Sequence, residues 1–126
     1  MVQKSEATRP VVIVVDDDAA VRNSLEFSLG IEGFATRAFA SAGDLLRSPE
    51  PGCACYVIDH NLPGMSGFDL ITTLRGRHFC APAILITTHP SAILVERATR
   101  AGIPVIEKPL LGNALVDKIF ELCALP

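Results

Sequence analysis

The sequence predicts a doubly wound α/β domain, and three observations predict it. Five short apolar runs recur along the 126 residues, with longer segments of helical period between them. The first, third and fourth runs are nearly continuously apolar and rich in Val and Ile, the pattern of strands covered on both faces, which means a parallel sheet. Parallel strands need right-handed crossovers, and the intervening segments can supply them as helices.

Residues 11–15 form the first strand. Asp18 caps the helix after it, which carries Val21, Leu25 and Leu29 on one stripe and ends near residues 30–33. The second strand is 34–39. Ser41 with Asp44 resembles a capping box in which Asp replaces Glu or Gln, and the short helix that follows holds Leu45 and Leu46 and stops at Pro49. The third strand is 54–58, and the helix at 66–75 carries Leu70, Ile71 and Leu74. The fourth strand is 83–87, and the helix at 91–101 carries Ile93, Leu94 and Val95, with Gly102 as its stop. Residues 103–106 are the fifth strand and 110–123 the last helix. On that helix Leu111, Leu115, Ile119 and Leu122 form one stripe, with Val116, Phe120 and Cys123 forming a second beside it. Together they span roughly 180°, wider than the ~100° that core packing needs. Either the helix is deeply covered, or the second stripe faces a partner.

The length fits one domain, read as a flexible segment at 1–9 followed by a folded unit at 10–126. No run of ~18 apolar residues is present to span a membrane. Residues 1–10 lack the apolar core of a secretory signal, so a cytoplasmic location is expected. With 11 basic against 14 acidic residues and no basic block, direct nucleic-acid binding has no electrostatic support. Cys53, Cys55, Cys80 and Cys123 lack zinc-ligand spacing. Cys53 and Cys55 flank Ala54, so a strand would send both to one face as small hydrophobes.

The polar residues at the strand ends carry the chemistry. Strand one ends in Asp16-Asp17-Asp18, strand three in Asp59, strand four in Thr87-Thr88 and strand five in Glu107-Lys108-Pro109. All lie at C-terminal strand ends, where open α/β sheets bind ligands. Clustered carboxylates repel and raise one another's pKa unless a cation intervenes. Hard oxygen ligands favour Mg²⁺ or Mn²⁺. Lys108 is a compact charge to receive an anion, and Thr87 adds a hydroxyl. Around a carboxylate nucleophile, that set suits phosphoryl transfer onto an aspartate. Singly, each residue has an ordinary reading: Asp18 as a helix cap, Asp59 in a loop, Thr87 bonded to backbone, Lys108 on the surface. Their joint placement at the ends of matching strands, in the right order, sets them apart.

The motifs VVIVVDDD (11–18), CYVIDHNLPGMSG (55–67), ILITTH (84–89) and EKP (107–109) resemble the receiver domain of two-component response regulators, over about residues 10–124. The EKP motif looks closest to receivers fused to helix-turn-helix transcription factors. The resemblance implies a (βα)5 flavodoxin-like fold with strand order 2-1-3-4-5 and Asp59 as phosphoacceptor. Asp17 and Asp59 would bind Mg²⁺ directly, with the Asn61 carbonyl as a further ligand and Asp16 acting through water. Thr87 would contact the phosphoryl group, Lys108 would pair with it, and the Lys108–Pro109 peptide would be cis. Asn61 and His89 match the two positions that tune hydrolysis of the product. The implied donor is a histidine kinase, a phosphotransfer protein or a small phosphodonor, and the domain signals rather than turning over substrate.

The chain departs from the family's usual pattern in four places. Val105 stands where the family usually has an aromatic that swings inward, and a β-branched side chain cannot make that movement. Leu110 replaces the common Phe, Thr88 a small residue, and Pro90 a Gly or Asp. Two other readings compete: a phosphate-independent pseudo-receiver or dimerisation module, and a haloacid-dehalogenase-like phosphatase. Asp16-x-Asp18 fits the start of the phosphatase motif, but Ala20 stands where it wants Thr or Val. A downstream effector, or a second copy of the chain, is expected on helix four, strand five and helix five.

Overall fold

In three strands all side chains but one are buried, and these strands form the middle of the sheet. The computed structural model describes residues 9–49 and 51–123; the expected flexible segment therefore lies almost wholly outside the described residues. In chain order the elements are β1 (Val11–Val15), α1 (Ala19–Ile31), β2 (Ala35–Phe39), α2 (Ala42–Arg47), β3 (Cys55–Asp59), α3 (Gly67–Gly76), β4 (Ala83–Thr87), α4 (Ala92–Arg100), β5 (Val105–Glu107) and α5 (Ala114–Cys123). All pairings are parallel, in the order β2-β1-β3-β4-β5. Every residue of β3 and β4 is buried, and all of β1 but Val11, whereas the edge strands β2 and β5 are partly exposed. This is the predicted doubly wound sheet, with its interior strands read from their unbroken apolar runs.

The pleat divides the core in two. Ile13, Val15, Tyr56, Ile58 and Leu85 face α2, α3 and α4, where they meet Leu45, Leu70, Leu74 and Leu94. Val12, Val14, Val57, Ile84 and Ile86 face α1 and α5, where they meet Leu25, Leu29, Leu115 and Ile119. Alternate residues of one strand thus serve opposite layers. Fully burying one such side chain is worth about 1.5–3 kcal/mol.

Four helices begin as their sequences suggest. Asp18, Ser41, Ser66 and Ser91 each cap a helix, accepting from the backbone N–H of Ala20, Asp44, Asp69 and Leu94 respectively. Asp44 does not complete a capping box; it pairs with Arg47.

Other expectations need correction. β2 starts at Ala35 because Phe34 N–H still bonds to Leu29 O, closing α1 through Gly33 at φ 100°. β5 starts at Val105 because Ile103 N–H closes α4 on Ala98 O. α5 starts at Ala114, since Gly112 at φ 71° interrupts any helix from Leu110; Leu111 is therefore outside the stripe and 77% exposed. On α4 the buried face is Leu94 with Ala98, leaving Ile93 70% exposed and Val95 also exposed. Cys53 precedes β3 and joins one core layer while Cys55 joins the other, so the two do not share a face.

The second stripe of α5 turns inward. Val116, Phe120 and Cys123 pack half-buried against the α1–α5 layer. Phe120 meets Phe34 at 5.2 Å between ring centroids, and the Cys123 thiol donates to Ala54 O at 3.2 Å. The broad apolar arc is covered by the fold to that extent. Phe120→Ala is expected to lower the unfolding free energy by about 2 kcal/mol in denaturant titration, since a half-buried ring and its aromatic contact are lost.

Candidate functional site

The sheet order reverses beside β1, and the crevice lies between the C-terminal ends of β1 and β3. Register sets Val15 beside Ile58, Asp59 beside Ile86 and Thr87 beside Glu107, so the strand-end residues gather at one edge.

Asp59 is the last residue of β3 and is buried. Its Oδ1 accepts the Asn61 backbone N–H at 3.0 Å, and its Oδ2 accepts from Lys108 Nζ at 3.2 Å. Asp16, directly after β1, is completely buried. Its Oδ1 accepts from Asp18 N–H at 2.9 Å, and its carbonyl accepts from the Arg22 guanidinium at 2.7 Å. Lys108 Nζ lies 2.9 Å from Asp16 Oδ2, and Lys108 N–H bonds to Thr87 O at 2.8 Å. The Lys108–Pro109 peptide is cis. Thr87 is buried at the end of β4, and its hydroxyl oxygen accepts from the Asn61 side-chain amide at 3.0 Å.

Asp16, Asp17 and Asp59 each offer a carboxylate oxygen, all within 4.8 Å of one another. Lys108 offsets one of these negative charges. Burial pushes the Asp59 carboxyl above its ordinary range and the Asp16 charge pushes the same way, while the Asn61 N–H and Lys108 pull it back. Burial alone would lower Lys108; its contacts with Asp16 and Asp59 outweigh that and raise it.

The donor set fits a hard divalent cation. Asp16 Oδ2 is buried and takes no aligned hydrogen bond, so its charge is countered but its lone pairs are not used. With the exposed Asp17 and the buried Asp59 it makes an all-oxygen corner suited to Mg²⁺ or Mn²⁺.

The raised Asp59 has a thermodynamic consequence. A folded-state pKa above the unfolded value of 3.8 means that the native protein holds the proton more tightly. Stability from this group therefore falls as pH rises from about 4 through the folded pKa, and the penalty persists at every higher pH. Asp59→Asn removes it, while Lys108 keeps Asp16. Calorimetry of the metal-free protein should give a higher melting temperature for Asp59→Asn at pH 7, with the gap closing in acid.

His89 lies exposed after β4 at φ 37°, a region that residues with a Cβ rarely adopt. Val105, on the edge strand β5, is half-buried against the α2–α4 layer. Two contributors escaped the sequence reading. Arg22 anchors the Asp16 carbonyl. Gly67, first in α3, packs so closely on the Asp59–His60 backbone that a Cβ there would sit 2.4 Å from Asp59 O. The hint was a glycine at the very start of a helix, eight residues beyond Asp59.

The class follows from comparison with known proteins. A family model described as response regulator receiver domain matches residues 12–120, and the chain belongs to that family of two-component signalling domains. Particular regulators are similar to it. The C4-dicarboxylate transport transcriptional regulatory protein DctR of Rhodobacter capsulatus is 36% identical over 84% of the chain and 56% of its own length. Nodulation protein W of Bradyrhizobium diazoefficiens is 35% identical over 90% of the chain and 51% of its own. The chain thus spans about half the length of the curated relatives it matches. Among solved structures, a CheY-like receiver domain protein from Methanospirillum hungatei superposes with a TM-score of 0.84 at 27% identity, covering 93% of this chain and 95% of its own. Among the described residues no helix is long and apolar enough to cross a membrane.

Proposed function

We propose that this receiver takes a phosphoryl group from a histidine kinase or phosphotransfer protein onto Asp59 and signals through a changed protein–protein surface. The observation that carries the reading is the convergence of Lys108 on both Asp59 and Asp16, with Thr87 beside them, at the sheet's switch point. A carboxylate oxygen of Asp59 bonds to phosphorus as the bond from phosphorus to the donor's imidazole nitrogen breaks. Lys108 moves from carboxylate partner to phosphoryl partner, and the Thr87 hydroxyl donates to a phosphoryl oxygen. Asp16, Asp17, Asp59 and the Asn61 carbonyl would hold Mg²⁺ or Mn²⁺. When bound, that ion supplies positive charge to offset the carboxylates and the incoming anion. His89, two residues past Thr87, stands at the position that would tune hydrolysis.

A pseudo-receiver would not need this full set. A dehalogenase-type phosphatase would need Asp18 at the reacting centre, and Asp18 instead caps α1. For the output surface, the face of α4, β5 and α5 remains our proposal. Exposed Ile93 and Val95 on α4 support it better than Phe120 and Cys123, which the fold partly covers. The relatives' names suggest transcription as the eventual output. A cytoplasmic location accords with a kinase donor.

The test is incubation with a small acyl phosphate. Wild-type chain is expected to gain one phosphoryl group with Mg²⁺ and none with a chelator, and Asp59→Asn none in either case. Equal labelling of Asp59→Asn would sink the reading.

A further inference from the structure

Asn61 touches both the acceptor carboxylate of Asp59 and a hydroxyl, that of Thr87, that would meet a phosphoryl oxygen. Its backbone N–H donates to Asp59 Oδ1 at 3.0 Å, and its side-chain amide donates to Thr87 Oγ1 at 3.0 Å. Asn61 is itself exposed, while Asp59 and Thr87 are buried. The direction of the second bond matters. A hydroxyl has one proton to give and two lone pairs to receive. Because the Asn61 amide can only donate through its nitrogen, Thr87 Oγ1 is held as an acceptor and its proton is left to be given elsewhere.

We infer that the Asn61 side chain is a positioning residue, which fixes the Thr87 hydroxyl in the rotamer that presents its proton to an anion on Asp59. This rests on Asp59 being the phosphoacceptor. A threonine side chain has three staggered positions, and the amide adds a hydrogen bond that favours one of them. A donor already aimed at developing charge needs no reorganisation when the reaction occurs. The role differs from the one proposed for the Asn61 backbone carbonyl, a group that survives truncation of the side chain.

The test uses Asn61→Ala, Thr87→Val and the double variant; all three retain the Asn61 backbone N–H to Asp59. Uptake from an acyl phosphate with saturating Mg²⁺ is expected to slow about tenfold in Asn61→Ala, the cost of a misaimed donor. Adding Asn61→Ala to Thr87→Val is expected to change nothing further, because the amide acts through the hydroxyl. Independent, additive losses would overturn the inference while leaving Asp59 as acceptor. A second reading needs no phosphorylation: methyl scalar couplings of Thr87 in the metal-free protein should report one χ1 rotamer in wild type and a mixture in Asn61→Ala. An equally ordered Thr87 in both overturns the inference. A wild-type chain that takes up no phosphoryl group overturns the underlying reading and the inference with it.

Discussion

Lys108→Ala is expected to slow phosphoryl uptake on the order of 10²-fold, the loss typical of removing one preorganised charge from a reacting centre. The ammonium lies 2.9 Å from Asp16 and 3.2 Å from Asp59, and both carboxylates are buried. Without it two buried anions face each other uncompensated, which costs far more than an exposed pair would. The profile against pH carries the specific signature. Lys108 holds the Asp59 pKa down, so removing it lets burial and Asp16 push the carboxyl further up. Less Asp59 is then ionised at a given pH, and the acid limb of uptake should move to higher pH in the variant. A slower rate with an unmoved acid limb would mean that Lys108 meets the phosphoryl group but does not tune its acceptor. In the wild type, stability from the lysine's contacts is fully present below its unfolded pKa of 10.5 and lost as pH rises through the folded value.

Gly67→Ala is expected to cost about 3 kcal/mol in denaturant titration, the upper end for forcing an extra methyl into packed backbone. Its Cβ would lie 2.4 Å from Asp59 O and 2.8 Å from His60 Cα, atoms that cannot rotate aside. Either α3 backs away from the sheet or the Asp59–His60 segment shifts, and the second response moves the acceptor. Gly67 N–H also bonds to His60 O at 2.9 Å, so the helix start is tied to the same segment. Gly30→Ala is the control. A Cβ there meets nothing within 4 Å, and in α1 the change should be neutral or stabilising by up to about 1 kcal/mol. Wild-type stability and uptake in Gly67→Ala would contradict the packing described.

The parts of this molecule legible in the sequence are those encoded by local pattern. Val11–Val15 and Ala83–Thr87 could be read as interior strands because burial on both faces leaves no room for alternation. Asp16, Asp59, Thr87 and Lys108 stood out because they interrupt or end such runs, and parallel topology then gathers them at one edge. What was not legible depends on distance across the fold. The adjacent apolar residues Ile93, Leu94 and Val95 do not reveal which one faces inward, and Leu94 does so because Ala98 lies one turn on. The boundary of α5 turned on Gly112 adopting positive φ, and Cys53 fell on the opposite layer because β3 begins only at Cys55. The bond from Asn61 to Thr87 joins residues 26 apart, and nothing local announces it.

The measurement that bears most directly on the account is the position of the label. After reaction with an acyl phosphate and Mg²⁺, borohydride reduces an aspartyl phosphate to homoserine, which peptide mass spectrometry can locate. Homoserine at position 59, and at no other aspartate, is the predicted result. Label on His60 or His89, which borohydride leaves unreduced, or homoserine at position 16 or 17 would contradict it.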